Sequence, residues 1–238
     1  MNRKSRWIRW VVAFAVIVVL YLAWAIFRPL PGINATGPRT LSLTTPDTVL
    51  AWPAAGQSAV GVTGTNILLA HGVQKPAPTA STAKLITCLL VLKQKPLSVG
   101  QQGPTITLTP GDVAIYNSYL AHAGSTVPVA AGEQISEYQM LEAILLPSAN
   151  NMADSLAIWA YGSLPAYTAA ANAWLKQQGL ADTTVGSDAS GYNPSTVSTA
   201  ADLVRIGEMA MQSPVLAGVV GQTSAAGIPM AGTIKNVN

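Results

Sequence analysis

The longest uninterrupted apolar run, WVVAFAVIVVLYLAWAIF, occupies residues 10–27 and holds no charged side chain. As a helix it would extend about 27 Å, close to the hydrocarbon thickness of a bilayer. Residues 1–9, MNRKSRWIR, carry four positive charges and no acid, and Arg28 ends the run. That pattern predicts a cytoplasmic basic segment at 1–9, a single transmembrane anchor at 10–27 and an extracytoplasmic remainder. Ala23-Trp24-Ala25 also fits the cleavage site of a signal peptide. The run is longer than a signal core of about 7–15 residues and continues through that site, which favours an uncleaved anchor.

Residues 28–48, RPLPGINATGPRTLSLTTPDT, lose all helical period and are rich in Pro, Gly and Thr, the texture of a linker. One domain is expected over 49–238. Short apolar groups between Gly-Gln-Ser and Thr-Gly-Thr-Asn predict strands at 58–62 and 67–70. A helix is expected over 81–93, where Leu85, Ile86, Leu89 and Leu90 form one apolar stripe. The stretch 106–129 is mixed, with a turn expected at Thr109-Pro110-Gly111-Asp112. Further helices are predicted at 137–146, ending before Pro147, at 151–160, at 168–178 and at 199–211. In the last of these Ser198 or Thr199 stands near the cap and Asp202 lies in the first turn. Residues 187–193 are expected to be a loop and 215–223 a short segment, with no strong run of strands closing the chain. Strands first and a helical middle give an α+β class.

Composition changes this picture in one respect. The chain has net charge +3, but five of its 13 positive residues lie in the first 28, and from Pro29 onward the net charge is −2. The basic balance therefore belongs to the anchor, and no basic stripe interleaved with aromatics points to nucleic acid. His71 and His122 are isolated, and no His/Cys cluster has metal-ligand spacing. Cys88, the one cysteine, sits in an apolar run and is expected to be a buried thiol.

Candidate chemistry begins at TASTAKLITCLL, residues 79–90, which sets Ser81 and Lys84 three apart in front of an apolar helix. Alone, S-x-x-K is a weak signal, because serine is a common first-turn residue and lysine a common solvated one. At i and i+3 on a helix, however, the two share a face near the N-terminal backbone N–H groups. A serine hydroxyl needs a neighbouring base to become a nucleophile. A lysine can be that base once desolvation lowers its pKa, and Leu85-Ile86 after Lys84 fit a partly buried site. A second stretch, LLPSANNMAD at 145–154, puts Ser148 and Asn150 on a Pro-marked loop. Those groups suit a proton relay and an amide clamp, or equally an ordinary turn in which Ser148 caps the next helix.

TASTAKLITCLLVL, followed 67 residues later by LLPSANNMADSLA, resembles the serine D-alanyl-D-alanine carboxypeptidases, the penicillin-binding peptidase family. The family's first motif falls on Ser81, Thr82, Ala83 and Lys84, and its second on Ser148, Ala149 and Asn150. Asp188–Gly191 and Ser198–Leu203 resemble a later Asp-x-Ser-Gly … Ser-Thr-Ala-x-Asp-Leu stretch of the same family. The resemblance implies a β-lactamase/transpeptidase-like fold: an antiparallel sheet, a helical subdomain and a cleft between them. It implies that Ser81 attacks the penultimate D-Ala carbonyl of a peptidoglycan stem peptide ending in D-Ala-D-Ala. Lys84 is then the base, Ser148 relays a proton and Asn150 binds a substrate amide. β-Lactam antibiotics are the implied inhibitors, and neither metal nor cofactor is called for.

The family's third motif, Lys-Thr/Ser-Gly, is absent from these 238 residues, where Lys235 begins Lys-Asn-Val instead. The resemblance then implies a chain that stops short of that motif and of the strands around it, and the expectation is an inactive, poorly folded product. One alternative is a non-catalytic, membrane-tethered wall-binding module. Another is a class A β-lactamase-like hydrolase, but no glutamate lies between Glu142 and Glu208 to serve as its deacylating base.

Overall fold

The computed structural model describes residues 3–27, 50–65 and 67–238. The linker assigned to 28–48 lies outside the described residues. The chain divides into two compact units, Met1–Leu50 and Ala51–Asn238. The first contains helix α1 (Arg3–Phe27), where the rings of Tyr21 and Trp24 lie 6.1 Å apart. Among the described residues no single helix is long and apolar enough to cross a membrane, and the apolar stretch described within α1 is Val12–Ala25.

The second unit opens with an antiparallel hairpin of β1 (Ser58–Gly61) and β2 (Leu68–His71), in register from Ser58↔His71 to Gly61↔Leu68. Both strands fall within a residue of their expected places. The hairpin lies on α7 (Ala200–Gln212), and Gly61 permits it: a Cβ there would come within 2.5 Å of Val204. Its flanks also finish the helix. Gln57 Oε1 accepts from Ala200 N, Gln74 Oε1 from Ala201 N, and the Thr199 hydroxyl from Asp202 N. Three of the N–H groups that a helix start leaves open are thereby satisfied.

The core is helical. α2 (Ala83–Gln94), α4 (Glu137–Leu145), α5 (Asn150–Tyr161) and α6 (Leu164–Gln177) pack around Ile86, Leu90, Leu141, Leu146, Leu156 and Leu175, all essentially buried. Cys88 is among them, fully buried as expected, and burial pushes its thiol up to about 12.

Several expectations are corrected. Thr109–Asp112 is not a free turn but the start of α3 (Pro110–Ala121). Pro110 occupies the first helical position, which needs no N–H donor, and Thr109 and Asp112 form a reciprocal capping box. α6 starts at Leu164, ahead of the expected 168, because Ser163 caps it by accepting from Ala166 N. Residues 214–220 form a helix, α8, with Pro214 at its start. The chain closes on a hairpin that the sequence did not announce, β7 (Ser224–Ile228) with β8 (Gly232–Lys235). Two short pairs complete the inventory: β3 (Ala77–Pro78) with β6 (Val197–Ser198), and β4 (Thr105–Thr107) with β5 (Gln134–Ser136). The described strands thus form four separate two-stranded antiparallel pairs, where one antiparallel sheet was expected. Strands of two to five residues offer too few ladder bonds to gather into a wider sheet without further partners.

Candidate active site

Ser81 sits in a single 3₁₀ turn, Ala80–Thr82, that runs straight into α2. Neither the turn nor the helix has a side-chain cap, so capping does not account for Ser81. Ala80 has φ +47°, a left-handed conformation that turns the chain sharply just before the serine. The close approach of Gly191 fixes this turn. With φ +72°, a Cβ on Gly191 would lie 2.1 Å from the Ala80 carbonyl oxygen.

Lys84 is 2% exposed, although it is a lysine on the first turn of α2. Its ammonium donates to Ser81 Oγ at 3.0 Å, Asn150 Oδ1 at 2.7 Å and the Ser190 carbonyl at 3.2 Å. Burial lowers its pKa to about 8, against the upward pull of Asp188, Cys88 and Asp154. A buried lysine without a salt bridge is costly as a cation, and the shift records that penalty.

Ser148 stands between α4 and α5 with φ +61°. The N-cap of α5 is Ala149, without a side-chain cap bond, so Ser148 does not cap that helix. Ser81, Lys84 and Ser148 line one cavity of about 270 Å³, with Leu85, Leu145 and Asn238 among its other walls. Asn150 is placed differently: it is 4% exposed, stands behind Lys84 and does not line that cavity. Its Nδ2 faces Gly124, where a Cβ would come within 2.9 Å.

Three participants had no role assigned in the sequence, although two of them lie in the Asp188–Gly191 stretch. Ser190 contributes a backbone carbonyl, for which no side-chain pattern exists. Asp154 follows Asn150 by four residues on α5, a spacing visible in the sequence but without meaning until its partners are known. Asp154 Oδ1 accepts from Ala189 N at 2.8 Å, and Oδ2 from the Tyr119 hydroxyl at 2.7 Å. Asp188, in the stretch singled out by its texture, accepts from Ser190 N and Oγ, Tyr192 N and Asn193 N. Among the described residues no cluster of His, Cys, Asp and Glu is arranged to hold a metal ion.

This arrangement has relatives of known structure. A D-alanyl-D-alanine carboxypeptidase from Mycobacterium tuberculosis H37Rv is 28% identical, with 72% of this chain and 61% of that one covered and a TM-score of 0.61. A putative penicillin-binding protein homolog from the same organism is 27% identical over 71% of this chain and 61% of its own, with a TM-score of 0.60. A mutant of a Streptomyces DD-transpeptidase, 24% identical, shares the fold over 77% of this chain and 74% of its own, with a TM-score of 0.64. The chain therefore spans about 61% of the length of the two mycobacterial relatives. No curated protein matches it. A family model described as D-alanyl-D-alanine carboxypeptidase matches residues 51–227, three quarters of the sequence, with Ser81, Lys84, Ser148, Asn150, Asp154 and Asp188 inside the match, and the chain belongs to that family, the S11 peptidases.

Proposed function

We propose that the chain is a serine-type D-Ala-D-Ala carboxypeptidase acting on peptidoglycan stem peptides through an acyl-enzyme on Ser81. The observation that carries this reading is the environment of Lys84. A neutral amine has two N–H bonds and one lone pair. Asn150 Oδ1 and the Ser190 carbonyl take the two N–H bonds, which leaves the lone pair for Ser81 Oγ at 3.0 Å. With its pKa near 8, a substantial share of Lys84 is neutral at physiological pH. Ser81 then attacks the carbonyl of the penultimate D-Ala as Lys84 takes its proton. The terminal D-Ala leaves with a proton relayed through Ser148, whose hydroxyl meets no described partner, and water hydrolyses the ester. The Ser81 N–H, at the start of a helical turn, suits one position of an oxyanion hole. Asn150 has Oδ1 committed to Lys84, so its remaining amide hydrogens suit a substrate carbonyl rather than a substrate N–H. β-Lactams would acylate the same serine.

The basic segment 1–9 and the apolar run 10–27 support a single-pass anchor with residues 51–238 on the extracytoplasmic side, where the wall is. A second reading is a membrane-tethered wall-binding module without catalysis.

A fluorescent penicillin distinguishes the two. Against the expectation of an inactive product, the enzyme reading expects slow, stoichiometric labelling that Ser81→Ala abolishes and Lys84→Ala slows by at least about a hundredfold. No labelling of the folded full chain, together with retained binding to isolated peptidoglycan, would overturn it in favour of the binding module.

A further inference from the structure

Lys84 is held by acceptors that come from two different elements, and one residue ties those elements together. Asn150 and Asp154 are one turn apart on α5 and share a face. Asn150 touches Lys84 directly. Asp154, 5% exposed, grips the Ala189 N–H and thereby the segment whose next carbonyl, that of Ser190, is the other acceptor of Lys84. From its second oxygen the Tyr119 hydroxyl extends to α3 and stands 3.3 Å from Ser190 Oγ. Thr87, on the same helix as Lys84, donates to the Ala189 carbonyl and so closes the ring back to α2.

We infer that Asp154 is a positioning residue for the Ser81–Lys84 pair: it fixes the Ser190 carbonyl on the lysine and supplies a buried negative charge beside it. The inference rests on the acyl-enzyme reading. The charged or titratable groups around Lys84 are Asp188, Cys88 and Asp154, and those around Asp154 itself are Tyr119 on α3, Tyr167 on α6, Asp188 and Lys84, with His122 and Tyr192 lining the cavity that Asp154 and Asp188 share. Of these, Asp188 is the other acid, and its oxygens are taken up by the hydrogen bonds of its own loop. Asp154 is the acid that spans α3, α5 and that loop.

The test is Asp154→Asn, with Tyr119→Phe as a milder variant and Asp182→Asn, at an exposed turn, as control. Acylation rate is followed from pH 5.5 to 10 on the full chain, and the Lys84 side chain is titrated by NMR of the ¹³C-lysine-labelled protein. Removing the charge should move both midpoints down by about 0.5 pH unit and lower the plateau rate about tenfold. Tyr119→Phe keeps the charge, so it should lower the plateau while moving the midpoint less. Asp182→Asn should leave both unchanged. If both variants fold and keep the wild-type midpoint and plateau, the inference is overturned. If the wild-type chain is not acylated, the acyl-enzyme reading falls, and the Lys84 titration alone decides the inference. Should Asp154→Asn not fold, an unaltered plateau in Tyr119→Phe overturns it.

Discussion

Two buried carboxylates, Asp154 and Glu137, are treated in opposite ways by this fold. Asp154 is 5% exposed and each of its oxygens accepts a hydrogen bond, one from the 188–191 segment and one from α3. Glu137, at the first position of α4, is 0% exposed, and neither of its oxygens meets a hydrogen-bond partner. Burial raises both: Asp154 to about 6 despite the Tyr119 and Ala189 bonds, Glu137 to about 7 despite the nearby Lys95. Burial alone is thus a poor guide to what a carboxylate does. Asp154 joins three elements around Lys84, whereas Glu137 joins nothing and is only a liability when ionised.

The sharpest way to break the comparison is to dislodge the segment that Asp154 holds. Gly191→Ala would place a methyl 2.1 Å from the Ala80 carbonyl oxygen and 2.6 Å from Ala83 Cβ, at φ +72°. We expect a loss of about 3 kcal/mol or more in urea unfolding, together with loss of Ser81 acylation. Glu137→Gln should go the other way. The folded-state pKa of Glu137 lies above its ordinary 4.5, so its stabilisation is complete below about pH 4.5 and is lost as pH rises through about 7. Thermal unfolding should therefore show wild-type stability falling by about 3 kcal/mol across that window, and the Gln variant should flatten that fall. An unchanged slope would show that the ionised carboxylate reaches water. The smallest effect sharpens the point with a third buried acid. Cys88, raised from 9.0 to about 12, has about a thousandfold smaller thiolate fraction than an ordinary thiol at neutral pH. Maleimide should leave it unmodified in the native chain at pH 7.5 and modify it in urea.

Much of this contrast could not be read from the sequence. Ser81, Lys84 and Ser148 were legible because side-chain type and spacing encode them, and the structure gathers these three around one cavity. Asn150 was singled out by its type, but its hydrogen bond to Lys84 was not legible, since only folding decides which face of α5 meets α2. The stretch holding Ser190 was noticed by resemblance, but the use of its carbonyl was not legible, because every residue carries the same backbone oxygen and only conformation aims it at Lys84. The interiors of α2, α4, α5, α6 and α7 were found by their apolar period. All of α3 and the start of α6 were missed, at Pro110 and Pro165, where a residue that breaks helices also suits their first turns. The hairpin at 224–235 was lost because its alanines and glycines carry no alternating pattern.

The left-handed residues at the rim of the cavity have a consequence for how such a protein changes over time. Ala80 and Ser148, neither of them glycine, hold φ of +47° and +61°, the first directly before Ser81 and the second at the other serine itself. Each such position is worth about 1 kcal/mol of strain that the surrounding packing must hold down. Glycine at either would be easier on the backbone, so selection for stability alone would drift toward it, at the expense of how firmly Ser81 is aimed in the first case and of the Ser148 hydroxyl in the second. The rim is therefore where robustness and reactivity compete, and random mutations that raise the melting temperature should accumulate there at the cost of acylation.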